Sequence, residues 1–134
     1  MAKSMIQTTN TSQQTVALNG IISLGSVLRR FGCNCRLNGN AIEIEGEGYY
    51  EIEATVSVAS TEAGAVTVAI YENGLVIPSA IAYGTIATAG DVITLPLTTT
   101  VRQNCCCNGA SSITVVLLEG AGTVQNVSVR VTKA

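Results

Sequence analysis

The side chains most able to do chemistry in this chain are its five cysteines, held in two clusters, Cys33-Asn34-Cys35 and Cys105-Cys106-Cys107. An odd number cannot pair completely within one chain. Three readings stay open: buried structural thiols, a bridge from the triplet to Cys33 or Cys35 or to another chain, and thiolate ligands for a soft metal. Structural thiols are favoured, because zinc sites usually space cysteines about two to four residues apart and three in succession converge poorly on one tetrahedron. A redox catalyst would need an activated thiolate, and neither a CxxC pair nor a helix N-terminus is present to supply one.

Carboxylates are the second candidate group. Glu51 and Glu53, two apart on a strand, have nearly the separation of a glycosidase pair, yet no aromatic platform flanks them. Glu43, Glu45, Glu47 and Asp91 could approach calcium, but they lie in no EF-type loop. The chain contains no histidine, which removes imidazole as base, acid or metal ligand. No glycine-rich phosphate loop is expected, since the glycines fall between strands and not before helices. The sequons at Asn10 and Asn126 matter only in a host that glycosylates exported proteins. No catalytic residue, cofactor or metal is assigned, and the expectation is a non-enzyme.

The chain that must position these groups is 134 residues long, one domain's worth. Sixteen Thr, 15 Val and 12 Ile dominate it, which is sheet-forming composition. Seven basic against nine acidic residues leave a net charge of −2, no footing for nucleic acid. The start, Met1-Ala2-Lys3-Ser4, leads into polar residues and not into an apolar signal region. Apolar runs such as Ile113-Thr114-Val115-Val116-Leu117-Leu118 are too short to cross a bilayer.

Residues 1–14 are polar and read as a flexible arm, a candidate attachment segment, followed by a single domain over 15–134. Residues 15–25 read as two short strands about an Asn19-Gly20 hairpin turn. Residues 49–59 alternate most clearly: Tyr50, Ile52, Ala54, Val56 and Val58 share one face, Tyr49, Glu51, Glu53, Thr55 and Ser57 the other. Further strands are predicted at 65–72, 75–82, 91–102, 111–118 and 123–132, separated by turns such as Asn73-Gly74 and Asn108-Gly109. About ten short strands with glycine turns and no amphipathic helix predict an all-β, two-sheet antiparallel sandwich or jelly roll.

Two strands look apolar or uncharged on both faces. In 91–102, Ile93, Leu95, Leu97, Thr99 and Val101 oppose Val92, Thr94, Pro96, Thr98 and Thr100. In 111–118, Ile113, Val115 and Leu117 oppose Thr114, Val116 and Leu118. A sandwich has one interior, so a second copy in a closed ring is expected to cover the other face. Glu51 and Glu53 are expected to meet Arg29, Arg30, Arg102 or Arg130 across strands or subunits.

The order Gly48-Tyr49-Tyr50-Glu51-Ile52, Val66-Thr67-Val68-Ala69-Ile70-Tyr71-Glu72-Asn73-Gly74, Ala89-Gly90-Asp91-Val92-Ile93-Thr94-Leu95 and Ser111-Ser112-Ile113-Thr114-Val115-Val116-Leu117 resembles the complement-globular/tumour-necrosis-factor-like (C1q/TNF-like) jelly roll. The resemblance spans about residues 15–133 and is nearest to the bacterial and bacteriophage branch, with its spore-filament tips and phage fibre or capsid knobs. It implies a ten-strand jelly roll, a tight homotrimer, and display or adhesion in place of catalysis. At Tyr49-Tyr50 it implies one ring in the core and one near the subunit contact; the cysteine triplet is similar to that of phage and Firmicutes members. Departing from the pattern, the sequence has no Gly-Xaa-Yaa stalk and few aromatics, which favours a virion component over a spore filament.

The resulting expectation is a trimeric structural protein on a phage virion surface: a capsid decoration, head fibre or fibre-tip knob contacting the host. Tyr49, Glu51, Val92, Thr94, Val116 and Leu118 are the expected subunit contacts. The loops at 60–64, 73–74 and 103–110, with Tyr83, Asn73 and Asn108, are the expected recognition surface. Expected partners are other copies, virion proteins through the arm, and a host-surface glycan, with neither nucleic acid nor membrane insertion. The rival expectation is a carbohydrate-binding or spore-surface adhesion module, since the same sandwich can hold sugars in its loops.

Overall fold

The computed structural model describes residues 4–103, 111–120 and 122–134. Its strands are β1 (Met5–Asn10), β2 (Gln14–Thr15), β3 (Gly20–Ile21), β4 (Ser26–Phe31), β5 (Cys35–Asn38), β6 (Ala41–Ile44), β7 (Gly48–Ser60), β8 (Gly64–Glu72), β9 (Leu75–Ile86), β10 (Val92–Gln103), β11 (Ser111–Glu119) and β12 (Gly122–Lys133). Among the described residues there is no helix. One sheet has the order β10-β7-β12-β1-β4, with β2 also on β12; the other has the order β5-β6-β11-β8-β9, with β3 also on β11. Every pairing is antiparallel, giving the two-sheet jelly roll expected from the alternation.

The core lies between the sheets because alternate residues of each long strand are apolar. On β7, Tyr50, Ile52, Ala54, Val56 and Val58 are all buried. In β12 the inward residues Val124, Val127, Val129 and Val131 break strict alternation after Val124. A register shift between Val124 and Asn126 absorbs the extra residue and keeps Val127 facing inward. Along one side the sheets close where β9 lies over β10: Ser79 Oγ and Thr99 Oγ1 are 2.8 Å apart. Gly84 permits this approach, since a Cβ there would stand 2.6 Å from Ile93 Cδ1.

Three expectations are corrected. The stretch read as a free arm contains β1, which lies between β12 and β4 with Ile6 and Thr8 fully buried. Its polar composition hid it, because Thr8 occupies an inward position usually held by an apolar side chain. At Asn19-Gly20 a turn does form, with Asn19 at φ 62 and Gly20 N donating to Ala17 O. The flanking strands do not pair as a hairpin, however; β2 joins β12 while β3 joins β11, so the segment crosses from one sheet to the other and drives Ile22 and Leu24 into the core. Val116 needs no second copy to cover it. It is buried within the chain, flanked in register by Ala69 of β8 and Ile21 of β3.

The registers also define two ends. At the start of β7, Gly48 faces Gln103 and Tyr50 faces Lys133, while Met5 faces Thr132. Ser60, at the other end of β7, faces Gly122. Ser4 and Ala134 therefore share a terminal end, and the opposite, distal end is roughly 40 Å away at about 3.3 Å per residue.

Candidate functional site

The outward face of the first sheet is built from cross-strand rows. One row reads Phe31, Met5, Thr132, Glu51, Thr100; the next reads Arg29, Gln7, Arg130, Glu53, Thr98. Toward the distal end follow Ser128, Thr55 and Pro96, then Asn126, Ser57 and Thr94. Hydroxyl contacts link neighbours: Thr9 with Ser128 at 3.3 Å and Ser57 with Thr94 at 3.0 Å. Arg130 Nη2 donates to Glu53 Oε2 at 2.6 Å, the one expected arginine–carboxylate pairing found among the described residues. Arg102 instead stacks over the Tyr49 ring, 5.3 Å from its centroid, and Arg30 Nε donates to Cys35 O at 2.7 Å. Arg29 and Glu51 have no ion-pair partner among the described residues.

The six expected contact residues do not form one surface. Tyr49, Glu51, Val92 and Thr94 are exposed on the β7–β10 side of this face. Val116 is buried, and Leu118 lies half-buried at the distal end, both on β11 of the other sheet. Sequence reasoning missed β4, whose residues are all exposed and which offers Val27, Leu28 and Phe31 at the free edge of the first sheet. The signal was present in the run Val27-Leu28-Arg29-Arg30-Phe31, which has large apolar residues and little burial periodicity.

The expected recognition loops also separate. Residues 60–64 lie at the distal end, beside the β11–β12 turn. The Asn73-Gly74 turn joins β8 to β9 at the terminal end, with φ 52 and 82, the left-handed pair of a two-residue hairpin. Asn73 N donates to Ser112 O and Asn73 Oδ1 accepts from Ser112 N, so this residue braces β11. Asn108, the cysteine triplet and residues 104–110 lie outside the described residues. Tyr83 stands on the edge strand β9, 74% exposed, opposite Thr67.

At the distal end the crossover through Thr15, Val16 and Leu18, the 60–65 loop and the Leu118–Gly120 segment surround an open cavity of about 780 Å³. Its wall mixes Val16, Leu18 and Leu118 with Glu62 and Glu119. Thr67 Oγ1 donates to Glu119 Oε1 at 3.0 Å. The local pattern of the sequence gives no sign of this hollow, because its wall is assembled from separate segments of the chain.

The terminal end is filled. Tyr50 is wholly buried, and its hydroxyl donates to Glu45 O at 2.7 Å and to Gly46 O at 3.0 Å. Burial, then the neighbouring Cys35, raises the pKa of that hydroxyl above its ordinary value. Asn34 accepts from Ser4 Oγ at 2.7 Å and donates to Glu45 O at 2.7 Å. Cys33 is exposed and Cys35 buried, both as free thiols. Burial pushes the Cys35 pKa up to about 11, partly offset by Arg30 and Lys133, which disfavours the thiolate that a nucleophile needs.

Neither acidic candidate assembles a centre among the described residues. Glu51 and Glu53 border a hollow of about 190 Å³, below the size of a ligand cleft. Arg36 pairs with Glu43 at 2.7 Å and Glu45 at 3.2 Å; its hydrogen bond, with one from Asn38, lowers the Glu43 pKa. Asp91 stands at the distal end, away from these glutamates. No group of three or more metal-ligating side chains forms among the described residues.

No protein-family model matches the chain, and no curated protein matches it. Its solved-structure neighbours include the globular domain of zebrafish complement 1qA protein, 5% identical with a TM-score of 0.71, covering 96% of this chain and 94% of that one. Murine APRIL is 10% identical with a TM-score of 0.71, covering 99% and 100%. PRD1 vertex protein P5 is 9% identical with a TM-score of 0.62, covering 97% and 72%. At such identities the likeness is one of fold, and with the strand order above it gives this chain the C1q/TNF-like jelly-roll fold.

Proposed function

We propose that this chain is a non-enzymatic display module, a homotrimer on a bacteriophage virion surface that serves as capsid decoration, head fibre or fibre-tip knob. The observation that carries the reading is the separation of two ends of the sandwich: Ser4 and Ala134 lie at one and the loop-built cavity at the other. Such a module is held by its terminal end, where it meets other virion proteins, and presents its distal end to the host. The fold shared with PRD1 vertex protein P5 supports the setting.

In the trimer the β4 edge of one copy meets the β7–β10 side of the next, a head-to-tail contact that closes as a ring. Phe31 and Leu28 supply apolar area, Tyr49 and Val92 receive it, and Arg29 of one copy pairs with Glu51 of its neighbour. Light scattering coupled to size exclusion tests this: a mass near three times 13.8 kDa, with and without reductant, is expected. Glu51→Arg dissociates the assembly, and adding Arg29→Glu restores it. A monomer at all concentrations, or a trimer lost on reduction, refutes the packing-held ring.

A second reading, a carbohydrate-binding or adhesion module, is favoured by one observation, the 74% exposure of Tyr83. Sugar rings stack on exposed aromatic faces. Glycan-array binding abolished by Tyr83→Ala supports it, and a flat array leaves assembly as the main role.

A further inference from the structure

We infer that the distal cavity is a binding site for a small organic cation with an aliphatic body, an alkylammonium in its simplest form. This inference stands on the cavity and is independent of the oligomeric state proposed above. At about 780 Å³ the hollow falls within the range of small-molecule sites, roughly 300–1,000 Å³. Val16, Leu18 and Leu118 give it an apolar wall, and Leu18 remains 60% exposed there. A ligand with an aliphatic body removes that surface from water.

The charge selects the head group. Glu62 and Glu119 line the cavity, and neither has a cationic partner among the described residues. The described cations are committed elsewhere or point elsewhere: Arg36 to Glu43 and Glu45, Arg130 to Glu53, Arg102 to Tyr49, Arg30 to Cys35 O, Arg29 to the outer sheet face, and Lys133 to the terminal end. Asp91 adds a third negative charge at this end. Thr67 holds one oxygen of Glu119, leaving its other oxygen for a ligand. Anions are repelled by this arrangement. A saccharide lacks a stacking surface, since no aromatic side chain lines the cavity. Two carboxylates on separate loops make too few ligands for a bare divalent ion.

The experiment is a titration of the isotopically labelled 134-residue chain, followed by backbone amide shifts, with three probes of one length: hexylammonium, hexanol and hexanoate. Hexylammonium is expected to shift the amides of residues 61–65 and 119–120 saturably, with affinity on the order of millimolar for so small a ligand. Hexanol should bind about fivefold more weakly and hexanoate should leave these amides unmoved. Glu62→Gln with Glu119→Gln should erase the difference between amine and alcohol, while Leu18→Ser weakens both. Both sites are exposed, and the comparison of probes on the unaltered chain needs no variant at all. Equal shifts from all three probes, an unchanged preference in the double variant, or no shift at tens of millimolar amine would each overturn the assignment.

Discussion

The two ends of the sandwich solve opposite problems. At the terminal end a large side chain fills the space: Tyr50 is fully buried and its hydroxyl is bound to two carbonyls, while Asn34 ties Ser4 to Glu45. At the distal end the crossover and two loops stand around open space, and Leu18 stays exposed at its rim. Buried, satisfied polar groups hold a unique structure, whereas loops on a rigid scaffold are free to carry recognition. The packed, hydrogen-bonded groups stand at one end and the open, loop-lined space at the other.

Tyr50→Ala should break the filled end most severely, with a loss of about 3–5 kcal/mol in chemical denaturation. Tyr50→Phe, which keeps the ring and removes the hydroxyl, should lose about 1–2 kcal/mol. A near-zero change for Tyr50→Ala would erase the contrast between the ends.

Alkali should reach the same end through Cys35. An unfolded thiol ionises from about pH 9, but the buried thiol only near pH 11. Between those values the unfolded chain binds fewer protons, so stability is full below pH 9 and falls as pH rises toward 11. Denaturation midpoints across this window should fall more steeply for the native chain than for Cys35→Ala; parallel curves would contradict the burial of the thiol.

Asn34→Ala should cost about 1 kcal/mol, since the buried Ser4 hydroxyl still accepts from the backbone N–H at position 34 and the lost bond to Glu45 O is an exposed one. Smallest of all, Leu18→Ser at the distal rim should change stability by less than about 0.5 kcal/mol. Thermal melts that show Leu18→Ser to be as damaging as Asn34→Ala would mean that the distal wall is part of the core.

The inward rows were legible because alternation maps directly onto the two faces of a strand. Spacing alone groups Tyr50, Ile52, Ala54, Val56 and Val58, and the structure buries all five. Asn73-Gly74 was legible because its left-handed backbone strongly favours those residue types. The burial of Val116 is not legible, because spacing cannot say that Ala69 and Ile21 will flank it from distant parts of the chain. β1 was missed because its Thr-rich segment resembles a polar tail until β12 and β4 pair with both its edges.

By itself the sequence determined the class of fold, the long strands and their inward residues, and the absence of imidazole chemistry, all of which follow from residue type and local periodicity. Only the tertiary structure decided which loops share an end, which arginine reaches which glutamate, and where a cavity is left open. Those outcomes depend on the pairing of strands far apart in the chain, and local spacing carries no record of register between them.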